Sequence, residues 1–289
     1  MSCINQVTTD SYSLIHGDCV EAISALPDAS IDYSIFSPPF ASLYVYSNSL
    51  RDMGNSRDDT EFFAHMDYLI REILRVLKPG HNVSVHCMQL PTSKERDGYI
   101  GLRDFRGELI RAFEKHGFIY ASEVCIWKDP VTAMQRTKAL GLLHKTIRSN
   151  ATMSRQGIAD YLVTMRKPGE VVDKVAHDDI PVEEWQQLAS PVWMDINPSD
   201  TLQYRSAREH DDERHIAPLQ LEVIRRGIKL WTKAGDVVLT PFLGIGSEAY
   251  CAVEMGRKAI GVELKKSYYE QACRNLDSIV AQGDMFAVV

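Results

Sequence analysis

Two short stretches hold residue types able to do chemistry. Ser37-Pro38-Pro39-Phe40 offers a hydroxyl, backbone carbonyls whose directions are fixed by the proline rings, and a flat aromatic face. Together they suit holding a planar ring that carries an amine. The second stretch is Pro241-Phe242-Leu243-Gly244-Ile245-Gly246, where Gly244 and Gly246 let the backbone turn tightly and approach a ligand. Glu263 follows at the end of the next apolar run, where an acidic side chain can accept both hydroxyls of a ribose. Ala249 stands where a dinucleotide site would place a third glycine, which favours a nucleoside cofactor without pyrophosphate. Each stretch also has a plainer reading, the first as a strand terminator with an apolar cap, the second as a glycine turn in an ordinary βαβ core.

The elements around these stretches decide between the readings. Ile31, Tyr33 and Ile35 alternate along a strand that must stop at Ser37, because prolines cannot donate to a sheet ladder. In an open α/β sheet, ligands bind beyond the carboxyl ends of the strands, so residues 37–40 stand where such sheets do their work. A strand over 12–16 leads to a short helix over 19–26, with Asp18 as its N-cap. After a long polar loop at 41–57, Phe62, Phe63, Met66, Leu69, Ile70, Ile73, Leu74 and Leu77 recur at helical spacing up to Lys78-Pro79-Gly80. Further strands are predicted at 82–87, 118–127, 237–240 and 258–262, and further helices at 103–116, 218–233, 247–255 and 267–280. This alternation predicts a doubly wound, mostly parallel α/β sheet. Between 128 and 213 the periodicity fades and Pro168, Pro181, Pro191 and Pro198 break it up, which marks an inserted, substrate-facing lobe.

At 289 residues, 45% hydrophobic and 25% charged, the composition is that of an average globular protein with room for a sizeable core. No apolar run is long enough to span a bilayer, and the first residues resemble no export signal, so a cytosolic protein with no membrane partner is expected. Six dispersed cysteines without a C-x-x-C pair fit reduced thiols, and nine histidines without an H-E-x-x-H spacing point to no metal site. The net charge of −7 hides a segregation. Residues 128–168 hold eight basic and two acidic side chains, a balance of +6, whereas 169–213 hold twelve acidic and three basic, a balance of −9. Opposite neighbouring blocks suggest one surface that meets phosphate and one that does not.

The combination resembles the amino-methylating DNA methyltransferases. Ser37-Pro38-Pro39-Phe40 looks like their catalytic [S/D/N]-P-P-[Y/F], and the 241–246 loop is similar to their S-adenosylmethionine loop, D-P-F-x-G-x-G. Ile260-Gly261-Val262-Glu263, with Tyr268 and Ala272, and Val76-Leu77-Lys78-Pro79-Gly80 match further family elements. The catalytic motif precedes the cofactor motif, the order of the permuted β group, so the resemblance implies a Rossmann-like class I methyltransferase. Its catalytic part would span 1–127, a target-recognition insert 128–213 and the S-adenosylmethionine part 214–289. It also implies cofactor contacts from Asp18, Pro218, Thr240, Phe242, Gly244, Gly246 and Glu263, and reaction at residues 37–40. Thr240 departs from the pattern, since the family places an aspartate there, facing the methionine end of the cofactor.

The implied substrate is a base flipped out of double-stranded DNA and methylated on its exocyclic amine. Serine in the first motif position leans toward N4 of cytosine over N6 of adenine. Arg136, Lys138, Lys145, Arg148 and Arg155 in the basic block are candidates for phosphate contact or guanine readout. A second copy of the chain and a cognate restriction enzyme are further candidate partners. Competing readings are a DNA-binding protein of this fold that has lost catalysis, and a methyltransferase of RNA or protein amides.

Overall fold

The computed structural model describes residues 3–39, 56, 59–131, 148, 157–172, 174–175, 179–203 and 218–286. Phe40, Arg136, Lys138, Lys145 and Arg155 lie outside the described residues, as does most of the loop 41–57.

The chain begins with an antiparallel pair, β1 (Asn5–Thr8) and β2 (Tyr12–His16). It turns at Gly17 into α1 (Cys19–Ser24), where Asp18 Oδ1 accepts from the backbone N–H groups of Val20 and Glu21. That is an N-cap, which satisfies two of the donors a helix start leaves open. Strand β3 (Ile31–Phe36) follows and ends one residue before Ser37.

Helix α2 (Asp59–Val76) buries Phe62, Met66, Leu69, Ile70, Ile73 and Val76 completely, the stripe that helical spacing predicts. Each such side chain contributes about 1.5–3 kcal/mol. Strand β4 (Leu77–Met88) starts directly after it and runs through Pro79 and Gly80, where the sequence suggests a stop. A bulge makes this possible: Ile31 pairs with Leu77 but Tyr33 pairs with Asn82, so Pro79 needs no ladder partner.

Next come the small pair β5 (Leu90–Pro91) and β6 (Leu102–Arg103) around α3 (Lys94–Asp97). Helix α4 (Phe105–Lys115) leads to β7 (Ile119–Ile126). Then follow β8 (Asp160–Arg166), α5 (Val182–Leu188) and β9 (Val192–Trp193). Helix α6 (Leu221–Trp231), β10 (Val237–Thr240), α7 (Ser247–Glu254), β11 (Lys258–Glu263) and α8 (Lys266–Phe286) complete the chain.

Among the described residues, nine strands form one sheet in the order β1-β2-β11-β10-β3-β4-β8-β7-β9. The centre, β2 to β4, is parallel, and β8 runs against both β4 and β7. Two apolar layers flank it. One joins α2 and α4 to Phe36, Val83 and Val85; the other joins α6, α7 and α8 to Tyr33, Ile35 and Val238. Every residue of β3 is therefore buried, including Ser34, whose hydroxyl donates to the Leu239 carbonyl at 2.9 Å. Helix α6 comes close because Gly227 faces β3: a Cβ there would sit 2.8 Å from the Tyr33 hydroxyl.

The stretch 128–213 departs from the picture of a separate insert. It supplies β8 and β9, and β8 lies inside the sheet between β4 and β7. Its run Leu162-Val163-Thr164-Met165 is buried on both faces, so it shows no alternation, and the charged residues around it mask it in the sequence. Among the described residues no helix is long and apolar enough to cross a membrane.

Candidate active site

The parallel sheet changes direction between β10 and β3. From β10 the chain crosses to β11 on one side, and from β3 to β4 on the other, so the two loops that leave these neighbouring strands part and open a crevice. Those loops are 241–246 and 37–40. Pairing of Val238 with Tyr33 and Leu239 with Ser34 brings together motifs that stand near opposite ends of the sequence. Contact is direct: the Phe36 and Phe242 rings lie 5.6 Å apart, tilted by 59°.

Ser37 is half-buried, and its hydroxyl is held from behind. Ser37 Oγ lies 3.0 Å from His86 Nδ1, on β4. His86 Nε2 lies 3.0 Å from Asp160 Oδ2, at the start of β8. Lys128, just past β7, pairs with the same carboxylate oxygen. Strand register produces this row, since β3 and β4 run in step at Phe36 and Val85, and Met88 pairs with Asp160. His86 and Asp160 are both buried.

Burial pushes the Asp160 carboxyl up, but His86 and then Lys128 outweigh it and hold it below the ordinary carboxylate range. An ionised carboxylate only accepts, so His86 Nε2 carries a proton, and in the neutral ring Nδ1 accepts from the Ser37 hydroxyl. The lone pairs of Ser37 Oγ then remain available to accept from another group. Sequence reasoning passed over His86, Asp160 and Lys128. His86 reads as the polar alternate in Val83, Val85, Cys87, and Asp160 belongs to a strand masked within the charged stretch.

On the other side of the crevice, both oxygens of Glu263 are fixed by backbone donors, Oε2 by Gly244 N and Oε1 by Lys265 N, each at 2.8 Å. Gly244 has a φ of +54°, and a Cβ on it would meet no atom within 4 Å, so the loop leaves open space beside Glu263. Gly17 N donates to the Glu263 carbonyl at 2.9 Å, which sets Asp18 beside it at the same sheet edge. Among the described residues, the buried Thr240 hydroxyl has no hydrogen-bond partner. Pro218 is half-buried just ahead of α6. An open glycine cradle, a fixed carboxylate and a buried orphan hydroxyl fit a nucleoside cofactor with a polar tail. Of the basic residues singled out in the sequence, Arg148 is described and exposed.

Comparison with known proteins decides the family. Residues 31–274 match the DNA methylase family that covers N6 and N4 methylation. The chain belongs to that family. Among this DNA methylase's curated relatives is the type II methyltransferase M.MjaI of Methanocaldococcus jannaschii, 24% identical over 90% of this chain and 89% of the relative. Another is the type II methyltransferase M.BglII of Bacillus subtilis, 25% identical over 90% of this chain and 67% of the relative. Two solved structures share the fold. TTHA0409 of Thermus thermophilus, a candidate DNA modification methylase complexed with S-adenosyl-L-methionine, has a TM-score of 0.69 at 22% identity, covering 93% of this chain and 96% of that one. The cytosine-N4-specific PvuII DNA methyltransferase has a TM-score of 0.67 at 18% identity, covering 95% and 92%.

Proposed function

We propose that this DNA methylase transfers a methyl group from S-adenosylmethionine to the N4 amine of a cytosine flipped out of double-stranded DNA. The observation that carries the reading is the row Ser37, His86, Asp160 meeting the 241–246 loop at the sheet's switch point. When bound, the cofactor supplies an electrophilic methyl on a sulfonium. Gly244, Gly246 and Glu263 would hold its nucleoside, and Thr240, Phe242, Pro218 and Asp18 would surround it.

Everything else falls to the chain's own side chains. An exocyclic amine is a poor nucleophile because its lone pair is delocalised into the ring. Ser37 Oγ and the Pro38 carbonyl accept its two hydrogens and draw the nitrogen toward tetrahedral geometry, so that its lone pair points at the methyl. Transfer would break the methyl–sulfur bond, its electron pair staying on sulfur as a neutral thioether, and the methylated nitrogen must then lose a proton. That proton passes to Ser37 Oγ as the serine's own proton moves to His86 Nδ1, and Asp160 stabilises the imidazolium. Unstacking the base costs a few kcal/mol, and stacking on Phe40 offsets it by roughly 1–3 kcal/mol. Cytosine is favoured by the serine in the first motif position, and the cytosine-N4 enzyme of similar fold supports it.

The test is incubation of duplex DNA with methyl-labelled S-adenosylmethionine, followed by digestion and nucleoside mass spectrometry. N4-methylcytosine that Ser37→Ala abolishes is the expected result. N6-methyladenine in its place reassigns the base, and no incorporation by folded protein across varied DNA overturns the reading.

A further inference from the structure

Helix α7 begins directly after the cofactor loop, and its second residue, Glu248, is 5% exposed. Among the described residues, no lysine, arginine or histidine pairs with it. Arg225, on the neighbouring α6, is engaged instead by Glu254 at 2.7 Å and Asp200 at 3.5 Å. A buried carboxyl without a cation is costly, and such groups persist where function needs them. Burial raises its pKa to about 8, against the pull of its own backbone N–H.

Its direction follows from the helix. Cys251, one turn further on, bonds the Leu221 carbonyl at the start of α6, and Glu248 lies near enough to act on that thiol. Glu248 therefore faces the 218–221 end of α6. Two more buried polar groups flank it in the chain, and neither has a partner among the described residues: Thr240 Oγ1, where the loop begins, and Ser247 Oγ, where it ends. Two orphan hydroxyls and a buried carboxyl with no cation beside it, all on one glycine loop and the helix it opens, describe a site prepared for a charged, hydrogen-bonding group.

The amino-acid end of S-adenosylmethionine carries a carboxylate and an α-ammonium. The ammonium is a cation with three donors, and hydroxyls can accept from it but cannot neutralise it. We propose that Glu248 receives the α-ammonium of S-adenosylmethionine, with Thr240 and Ser247 as its neutral neighbours. This rests on the cofactor reading above. It also gives the departure at Thr240 a physical sense: the acid has moved from the strand end to the first turn of the following helix.

The experiment is calorimetric titration of the full chain and Glu248→Gln with two ligands, S-adenosylmethionine and 5′-methylthioadenosine, which lacks the amino-acid end. Glu248→Gln is expected to weaken S-adenosylmethionine about tenfold or more, and to leave 5′-methylthioadenosine within about twofold. Glu248→Asp is expected to recover part of the loss. The melting temperature of the unliganded glutamine variant at neutral pH should equal or exceed that of the parent. A carboxyl whose folded pKa is raised gives its full stability below the ordinary carboxylate pKa and loses it as pH rises toward the raised value, a loss the amide is spared. Equal weakening of both ligands with a lowered melting temperature would assign Glu248 to structure alone and overturn the proposal. So would unchanged affinity for S-adenosylmethionine. A parent protein that binds neither ligand overturns the cofactor reading itself.

Discussion

Asp160 sets the hydrogen-bond sense of the whole row, because an acceptor-only carboxylate decides which ring nitrogen of His86 bears the proton. Asp160→Asn keeps the shape and reverses the sense. The amide can donate to Nε2, Nδ1 then carries the proton toward Ser37, and the serine lone pairs are spent on the ring instead of the amine. Single-turnover methylation by Asp160→Asn is expected to be slower by about 10²-fold or more, with S-adenosylmethionine affinity unchanged. A folded variant that turns over at the parental rate would remove the row from the mechanism. Stability gives a second readout. The Asp160 pKa is depressed in the folded state, so its contribution is present above the ordinary carboxylate value and is lost as pH falls through the folded one. The stability gap between parent and variant should accordingly be widest near neutrality and close in acid, as followed by urea titration at stepped pH.

At the level of elements, both loops proposed for the site were legible, whereas the strand that matters most to it, β8, was not. Prolines ending an apolar strand, and glycines opening a helix, are local signals, and β3, β10 and α7 appear where those signals place them. Strand β8 depends on pairing with two distant strands. Its register with β4, Asp160 against Met88 and Leu162 against His86, is a tertiary fact with no local signature, so the two relay residues stayed hidden with it. The glycine loop permits a finer test. Gly244 and Gly246 both have positive φ, +54° and +96°, but a Cβ on Gly246 would lie 3.2 Å from the Ala272 Cβ and 3.3 Å from Leu276, whereas one on Gly244 meets nothing. Gly246→Ala should lower the unfolding free energy by about 1–3 kcal/mol. Gly244→Ala should cost less, and the opposite order in denaturant titration would show that loop strain is located elsewhere.

On the scale of the whole molecule, the family reading demands that a chain of net charge −7 bind a polyanion. Segregation resolves this. The residues proposed for cofactor binding and catalysis line one edge of the sheet, from Asp18 through Glu263, Thr240, Ser37 and His86 to Asp160 and Lys128. Lys128 also begins the stretch 128–168 with its local balance of +6. The sequence shows that charge block plainly, but composition alone does not say which surface it covers, and Arg148 is its one described member among the five singled out. If those five side chains neutralise phosphates, binding of duplex DNA must release counterions, and log K must fall linearly with log salt, by about 0.9 per phosphate contact. Replacing Arg136, Lys138, Lys145, Arg148 and Arg155 together by alanine should therefore flatten the salt dependence of DNA binding, measured by fluorescence anisotropy, in proportion to the contacts removed. S-adenosylmethionine affinity should stay as it was, because the site proposed for it lies on β10, α7 and β11. A variant with the parental salt slope would show that the positive block is an ordinary solvated face, and that DNA approaches the catalytic edge over another surface.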